Sequence, residues 1–137
     1  MAKTFEQIQL GDTDSFTKTI TETDVVLFGG ISGDLNPAHF DEVTASASSF
    51  KGRIAHGALV ASLISTVLGT KLPGNGTIYL RQDSNFTKPV YFGDTITATV
   101  TVVEKTQKKR VIFDTICTNQ NGEVVLSGQA TVLAPRL

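Results

Sequence analysis

Apolar and polar positions follow different rhythms in different parts of this chain. Between residues 95 and 102 they alternate strictly, with Ile96, Ala98, Val100 and Val102 on one side and Thr95, Thr97, Thr99 and Thr101 on the other. A period of two is the mark of a strand with one buried face. Residues 77–90 (Ile78, Leu80 and Phe86, with Pro89 near the end), 110–119 and 123–133 (Val125, Ala130, Val132) predict three further strands. Residues 105–109 read as a turn, and Asn121-Gly122 is the strongest short hairpin signal in the chain. An earlier Thr-rich stretch, residues 14–21 with Phe16 and Ile20 evenly spaced, predicts one more strand.

Ahead of the later strands the rhythm changes. Residues 58–68 are almost all apolar or small, and Gly69 and Pro73-Gly74 follow them. This spacing predicts the one long helix, and a helix apolar all round is expected to be buried on every side. Two shorter helices are expected before it. Thr23 can cap the first, with Asp24 in its first turn, residues 25–28 apolar, and Gly29-Gly30 and Gly33 ending it. Asp41 can cap the second, over residues 42–48. Between them residues 34–39, punctuated by Gly33 and Pro37, read as a turn-rich loop.

One central helix, one strand before it and four after it, with no parallel crossovers, make an α+β pattern. A helix buried all round must be wrapped by a strongly curved antiparallel sheet, which is the hot-dog arrangement, with the short helical segment overhanging it. Such a sheet leaves edges open, so closure by a second copy, a homodimer, is expected.

Composition narrows the class. At 137 residues with 40% apolar content, the chain is expected to be one domain, 1–137, with its own core. A formal net charge of -1 and a single basic run, Lys105 to Arg110, argue against a nucleic-acid partner. The lone cysteine, Cys117, cannot form an internal disulfide, and its apolar strand setting predicts a buried, inert thiol. There is no apolar leader and no apolar run near ~18 residues, so a soluble, cytoplasmic protein with no membrane partner is expected. Two histidines and one cysteine without metal spacing, no phosphate loop, no dinucleotide fingerprint and no Gly-x-Ser-x-Gly leave no metal or cofactor expected.

Candidate chemistry concentrates in residues 32–40, where Asp34, Asn36 and His39 put a carboxylate, an amide and an imidazole within six positions. A carboxylate beside an imidazole moves protons near neutral pH. The plainer alternative is Asp34 as a turn cap and His39 as a satisfied, partly buried histidine. Asn36 is expected to order the loop through backbone hydrogen bonds. A second candidate is His56-Gly57, at the amino end of the long helix. The Gly57 N–H is there one of the helix's unsatisfied donors and could meet a developing oxyanion. Close packing for Gly57 and structural hydrogen bonding for His56 are the alternatives.

Three segments together resemble a known signature: Gly33-Asp34-x-Asn36-Pro37-x-His39-Phe40-Asp41, then Arg53-Ile54-Ala55-His56-Gly57, then Phe86-x-Lys88-Pro89-Val90-x-x-Gly93-Asp94. They are similar to the MaoC-like (R)-specific enoyl-CoA hydratases, over nearly the whole chain. The resemblance implies a hot-dog fold and a place in fatty acid metabolism. It implies a trans-2-enoyl thioester substrate, hydrated to an (R)-3-hydroxyacyl thioester, with coenzyme A part of the substrate and not a cofactor. It makes Asp34 and His39 the catalytic pair, Asp34 as base toward water and His39 delivering a proton to the α-carbon. Gly57 matches the oxyanion donor, and Ser65 matches a serine near the site that assists Asp34 indirectly. Ala58 departs from the larger residue, such as methionine, of many relatives, so no acyl length is inferred. A dehydratase acting on acyl carrier protein, a hot-dog thioesterase and a non-catalytic acyl-binding subunit stay open. Lys51, Arg53, Arg81 and Lys88 could meet the phosphates of coenzyme A, although surface solvation explains each equally well.

Overall fold

The computed structural model describes residues 2–136. Strands β1 (Thr13–Thr19), β2 (Ile78–Phe86), β3 (Thr95–Lys105), β4 (Arg110–Thr118) and β5 (Val124–Leu133) form one antiparallel sheet in the order β1-β3-β4-β5-β2. The alternation in β3 does what it predicts. Ile96, Ala98, Val100 and Val102 are buried. The threonines of the other face form a cross-strand ladder with β1, through the hydroxyl pairs Thr13–Thr101, Thr17–Thr97 and Thr19–Thr95. The hairpin at Asn121-Gly122 is present. Gly122 takes φ 75°, and the Asn119 side-chain oxygen accepts from the N–H groups of Asn121 and Glu123.

The long helix runs from Gly57 to Thr70 (called α4 below, after three shorter ones) and packs on the inner face across β1, β2, β3 and β4. The hot-dog arrangement is therefore present, with one correction. The helix is not buried on every side. Val60, Leu63, Ile64, Val67 and Leu68 are buried, whereas Ala58, Ser62, Ser65, Gly69 and Thr70 face outward and are exposed. A curved sheet covers only one side of a helix. The outward stripe reads as apolar in sequence only because its residues are small. Gly69 lies inside the helix, since a single glycine costs only ~1 kcal/mol and the buried face continues past it.

The overhang differs in detail. Helix α1 (Glu22–Ser32) is capped by Thr21, two residues earlier than expected. The Thr21 hydroxyl accepts from the Asp24 N–H at 3.1 Å, and the Asp24 carboxylate accepts from the Thr21 N–H at 2.9 Å. This reciprocal pair outcompetes a cap at Thr23. Gly29 and Gly30 do not end the helix; Gly33 does, at φ 79° with its N–H donating to the Gly29 carbonyl. Gly29 is buried because the Phe40 ring occupies the space a Cβ would need. The expected loop is partly helical: α2 (Pro37–Phe40) begins at Asn36, whose side chain accepts from the Ala38 N–H. Asp41 caps α3 (Glu42–Ala47) as expected, accepting from the N–H groups of Val43 and Thr44.

At the far edge β2 approaches β5 closely at Gly128, where a Cβ would run into the Asp83 carbonyl. The obstacle is backbone, so nothing can rotate away. Gly128→Ala is expected to lower unfolding free energy by about 3 kcal/mol, the upper end of overpacking costs. Urea titration checks it, and an unchanged midpoint would show that the two strands separate freely.

Candidate active site

The overhang brings His39 to the amino end of α4 and holds it there from several directions. Its ring is buried, and Nδ1 lies 2.7 Å from the Ile54 carbonyl oxygen. A carbonyl only accepts, so Nδ1 carries the proton and Nε2 is the nitrogen left for chemistry. The His39 backbone carbonyl accepts from Arg53 Nε at 2.7 Å. Arg53 is itself held by Glu22 at 2.6 Å and lies over the Phe92 ring. The face of the His39 ring stacks on His56, with centroids 3.9 Å apart and planes tilted by 30°.

Asp34 follows the left-handed Gly33 on an exposed stretch. Its N–H donates to the Ser32 hydroxyl, and its carboxylate accepts from the Asn36 N–H at 3.2 Å, an Asx turn. Its backbone carbonyl accepts from His56 Nε2 at 2.9 Å. His56 precedes α4 as its N-cap, is 2% exposed, and lies against Phe28 and Phe40 as well as His39. One polar atom from each of Asp34, His39 and His56 lies within 4.8 Å of the others. No hydrogen bond among the described residues joins the Asp34 carboxylate directly to either imidazole. The gap is of the size that one water spans with two hydrogen bonds.

Two imidazoles and a carboxylate are also metal-ligand types, but the arrangement does not suit an ion. Imidazole lone pairs lie in the ring plane. Two stacked rings with centroids 3.9 Å apart and only a 30° tilt aim their lone pairs along nearly parallel planes, which do not converge within a ~2.0 Å metal–nitrogen bond of both. One nitrogen of each ring is already engaged by a backbone carbonyl, His39 Nδ1 with Ile54 and His56 Nε2 with Asp34.

Gly57 is the first residue of α4, and no acceptor among the described residues takes its N–H or that of Ala58. Its missing side chain is also a packing requirement, since a Cβ would sit 2.8 Å from the Phe86 ring. The free N–H and the close ring are both compatible with a glycine here. Beside it opens a cavity of about 490 Å³, lined by Gly57, Val60, Phe50, Phe86, Val90 and Val125 among others. Asp34 and His39 do not line it. His39 adjoins it through Ile54, which lines the cavity and holds the His39 ring.

Other expected residues fall elsewhere. Ser65 is eight positions beyond Gly57 on the outward face of α4, ~12 Å along the axis at 1.5 Å per residue, so within one chain it stands apart from the histidines. Among the phosphate candidates Arg53 is occupied as described, Lys88 pairs with Glu123 and Arg81 with Asp83, while Lys51 is exposed. Cys117 is buried, and burial pushes its thiol up to about 12. Sequence reasoning missed Ile54, Phe28 and Phe86. Ile54 and Phe86 carried a signal, the first in the run that ends in His56-Gly57 and the second at the head of the Lys88-Pro89 segment; Phe28 carried none.

Residues 8–123 match the family model described as the MaoC like domain. The chain belongs to the MaoC-like family. Its relatives include an (R)-specific enoyl-CoA hydratase of Rhodospirillum rubrum, 53% identical over 132 residues that cover 96% of this chain and 91% of that protein. A mitochondrial 3-hydroxyacyl-[acyl-carrier-protein] dehydratase of Arabidopsis thaliana is 34% identical, covering 95% and 80%. Among solved structures, the unliganded R-hydratase of Pseudomonas aeruginosa superposes on this MaoC-like chain with a TM-score of 0.93 at 42% identity, over 98% of this chain and 86% of that one.

The overhang that carries the site depends on two capping carboxylates. The N–H of Thr44, and then its hydroxyl, hold Asp41 below its ordinary 3.8. For Asp24, burial pushes upward but is outweighed by hydrogen bonds from Thr21 and Lys18, so its net shift is also downward. Groups depressed on folding stabilise above the unfolded value and stop doing so as pH falls through the folded one. Amide protection across residues 22–47 is therefore expected to be level from pH 7 to about 5 and to drop below about 4, the unperturbed carboxylate range. Protection unchanged at pH 3, after correction for intrinsic exchange, would count against the capping carboxylates as the overhang's anchors.

Proposed function

We propose that this protein is a hydro-lyase that adds water across the double bond of a trans-2-enoyl-CoA, giving an (R)-3-hydroxyacyl-CoA. The observation that carries this reading is the gap of at most 4.8 Å between the Asp34 carboxylate and the His39 ring, beside the free Gly57 N–H. The R-hydratases among its relatives support the substrate class. In this reading a water sits in the gap. Its oxygen bonds to C3 of the enoyl chain as Asp34 takes its proton, and the electron pair of the double bond moves toward the thioester oxygen. Gly57 N–H meets that enolate oxygen. His39 then returns a proton to C2. Because Nδ1 keeps its proton on Ile54, His39 enters the step with a second proton on Nε2; that one goes to C2, and Asp34 afterwards passes the proton it took from water back to Nε2. The pair gains one proton and loses one, and the two groups titrate as one unit. A positioned acid/base is worth ~10²–10⁴ in rate and an oxyanion donor ~10²–10³.

A second reading keeps the same site and runs it in reverse on a carrier-protein thioester, as the Arabidopsis relative's name describes. In either reading a second copy completes the molecule. The outer edge of β2 is unpaired, with Ile78 and Leu80 exposed, and the outward stripe of α4 is made of small residues. Edge pairing of β2 with its copy would cover both. No helix among the described residues is long and apolar enough to cross a membrane. We place the reaction in the cytoplasm, within fatty acid metabolism.

Purified protein is expected to bleach the conjugated-enoyl absorbance of crotonyl-CoA without releasing free thiol, and the product should run as the (R) isomer on a chiral column. Thiol release would instead mark a thioesterase; activity only on carrier-protein thioesters would favour the second reading. Asp34→Asn and His39→Gln should each lose most of the ~10²–10⁴ contributed by the acid/base pair while remaining folded. Either variant retaining full turnover removes that residue from the mechanism. Sedimentation should give twice the chain mass of 14.6 kDa; a monomer at assay concentration would discard the β2 edge as an interface.

A further inference from the structure

We infer that His56 is the positioning residue of this site: it sets Asp34 through a backbone hydrogen bond and His39 through a ring stack, in one neutral tautomer. The inference rests on the hydration reading above and says how that site keeps its geometry.

Asp34 stands on an exposed stretch, and its other hydrogen bonds are local, to Ser32 and Asn36 two residues to either side. Local bonds shape the turn but do not locate it on the molecule. Among the described residues, the one hydrogen bond from elsewhere in the sequence that reaches Asp34 comes from His56 Nε2, 22 positions away, to its carbonyl oxygen. That carbonyl can only accept, so Nε2 carries the proton and Nδ1 is bare. Nδ1 is fully enclosed and has no partner. Filling space alone would not call for this residue, because phenylalanine fits a stack between Phe28 and His39 without enclosing an unpaired nitrogen. Keeping the histidine makes sense for the donor on its other side.

Its ring is also the surface on which His39 lies, and Ile54 fixes the opposite degree of freedom by holding His39 Nδ1. The backbone of His56 leads directly into Gly57. One buried residue therefore ties the carboxylate, the imidazole and the anion donor to a common body, the amino end of α4.

Two variants separate the two roles. His56→Phe keeps a flat ring and removes the donor. His56→Gln places an amide N–H near the position of Nε2 and removes the ring. On crotonyl-CoA, His56→Phe is expected to lose about 10²-fold in kcat, the cost of ~1 Å misplacement, with KM nearly unchanged. His56→Gln should recover a substantial part of that loss. A folded His56→Phe with wild-type kcat, or a loss confined to KM, would overturn the inference, as would His56→Gln no better than His56→Phe. Long-range proton–nitrogen correlation spectra of the wild-type protein give an independent check that does not depend on either variant folding. They should show His56 protonated at Nε2 and bare at Nδ1, and the opposite tautomer would sink the proposal. If the wild type fails to hydrate any enoyl thioester, the functional reading falls, while the spectra still decide whether His56 holds Asp34.

Discussion

Helix α4 can bury only one stripe against a sheet that curves past it, and the working parts of the molecule occupy what that constraint leaves over. Its sheet-facing residues, Val60, Leu63, Ile64, Val67 and Leu68, are committed to the core. Its amino end projects free N–H groups that no neighbouring strand satisfies. The overhang settles against that end, with His56 as the join. The outward stripe of Ala58, Ser62, Ser65 and Gly69 is left to solvent or to a second copy. Free N–H groups, histidine pair and open face are three consequences of the same one-sided packing.

The overhang itself is made of short pieces that could not stand alone. Helices α2 and α3 have four and six residues, far below the length at which helices persist unaided. Each is started by a side chain from just before it, Asn36 and Asp41. Arg53 and Ile54 fasten α2 from outside, at the His39 backbone and ring. A conformation so dependent on caps and cross-links suits a site whose polar groups must be placed individually.

Period-two alternation and turn chemistry made the sheet legible, because both are local: the threonines of β3 and the turn at Asn121-Gly122 predict their own structure. The overhang was less so. Thr21 and Thr23 are equally good caps by residue type, and only the reciprocal bond with Asp24 decides between them. Gly29 looks like a helix stop, and it proves to be a seat for Phe40, a contact eleven residues away that no local rule contains. The all-round apolarity of α4 misled because alanine, serine and glycine carry little information about which side they face. At the site, residue types and the family resemblance singled out Asp34, His39 and Gly57, and the structure places them around one helix end. The cavity lies beside them and is not lined by Asp34 or His39, and Ser65 stands on another face. Neither separation can be read from spacing along the chain.

The enclosure of Cys117 has a practical side. It is the only thiol in the chain, is inaccessible, and burial raises it to about 12, so the folded protein offers thiol reagents no reactive thiolate. A colorimetric count of released coenzyme A therefore has a clean baseline. The same silence makes the residue a reporter: any slow labelling that does occur measures how often the strands around β4 part, giving a clock for global opening without adding a probe.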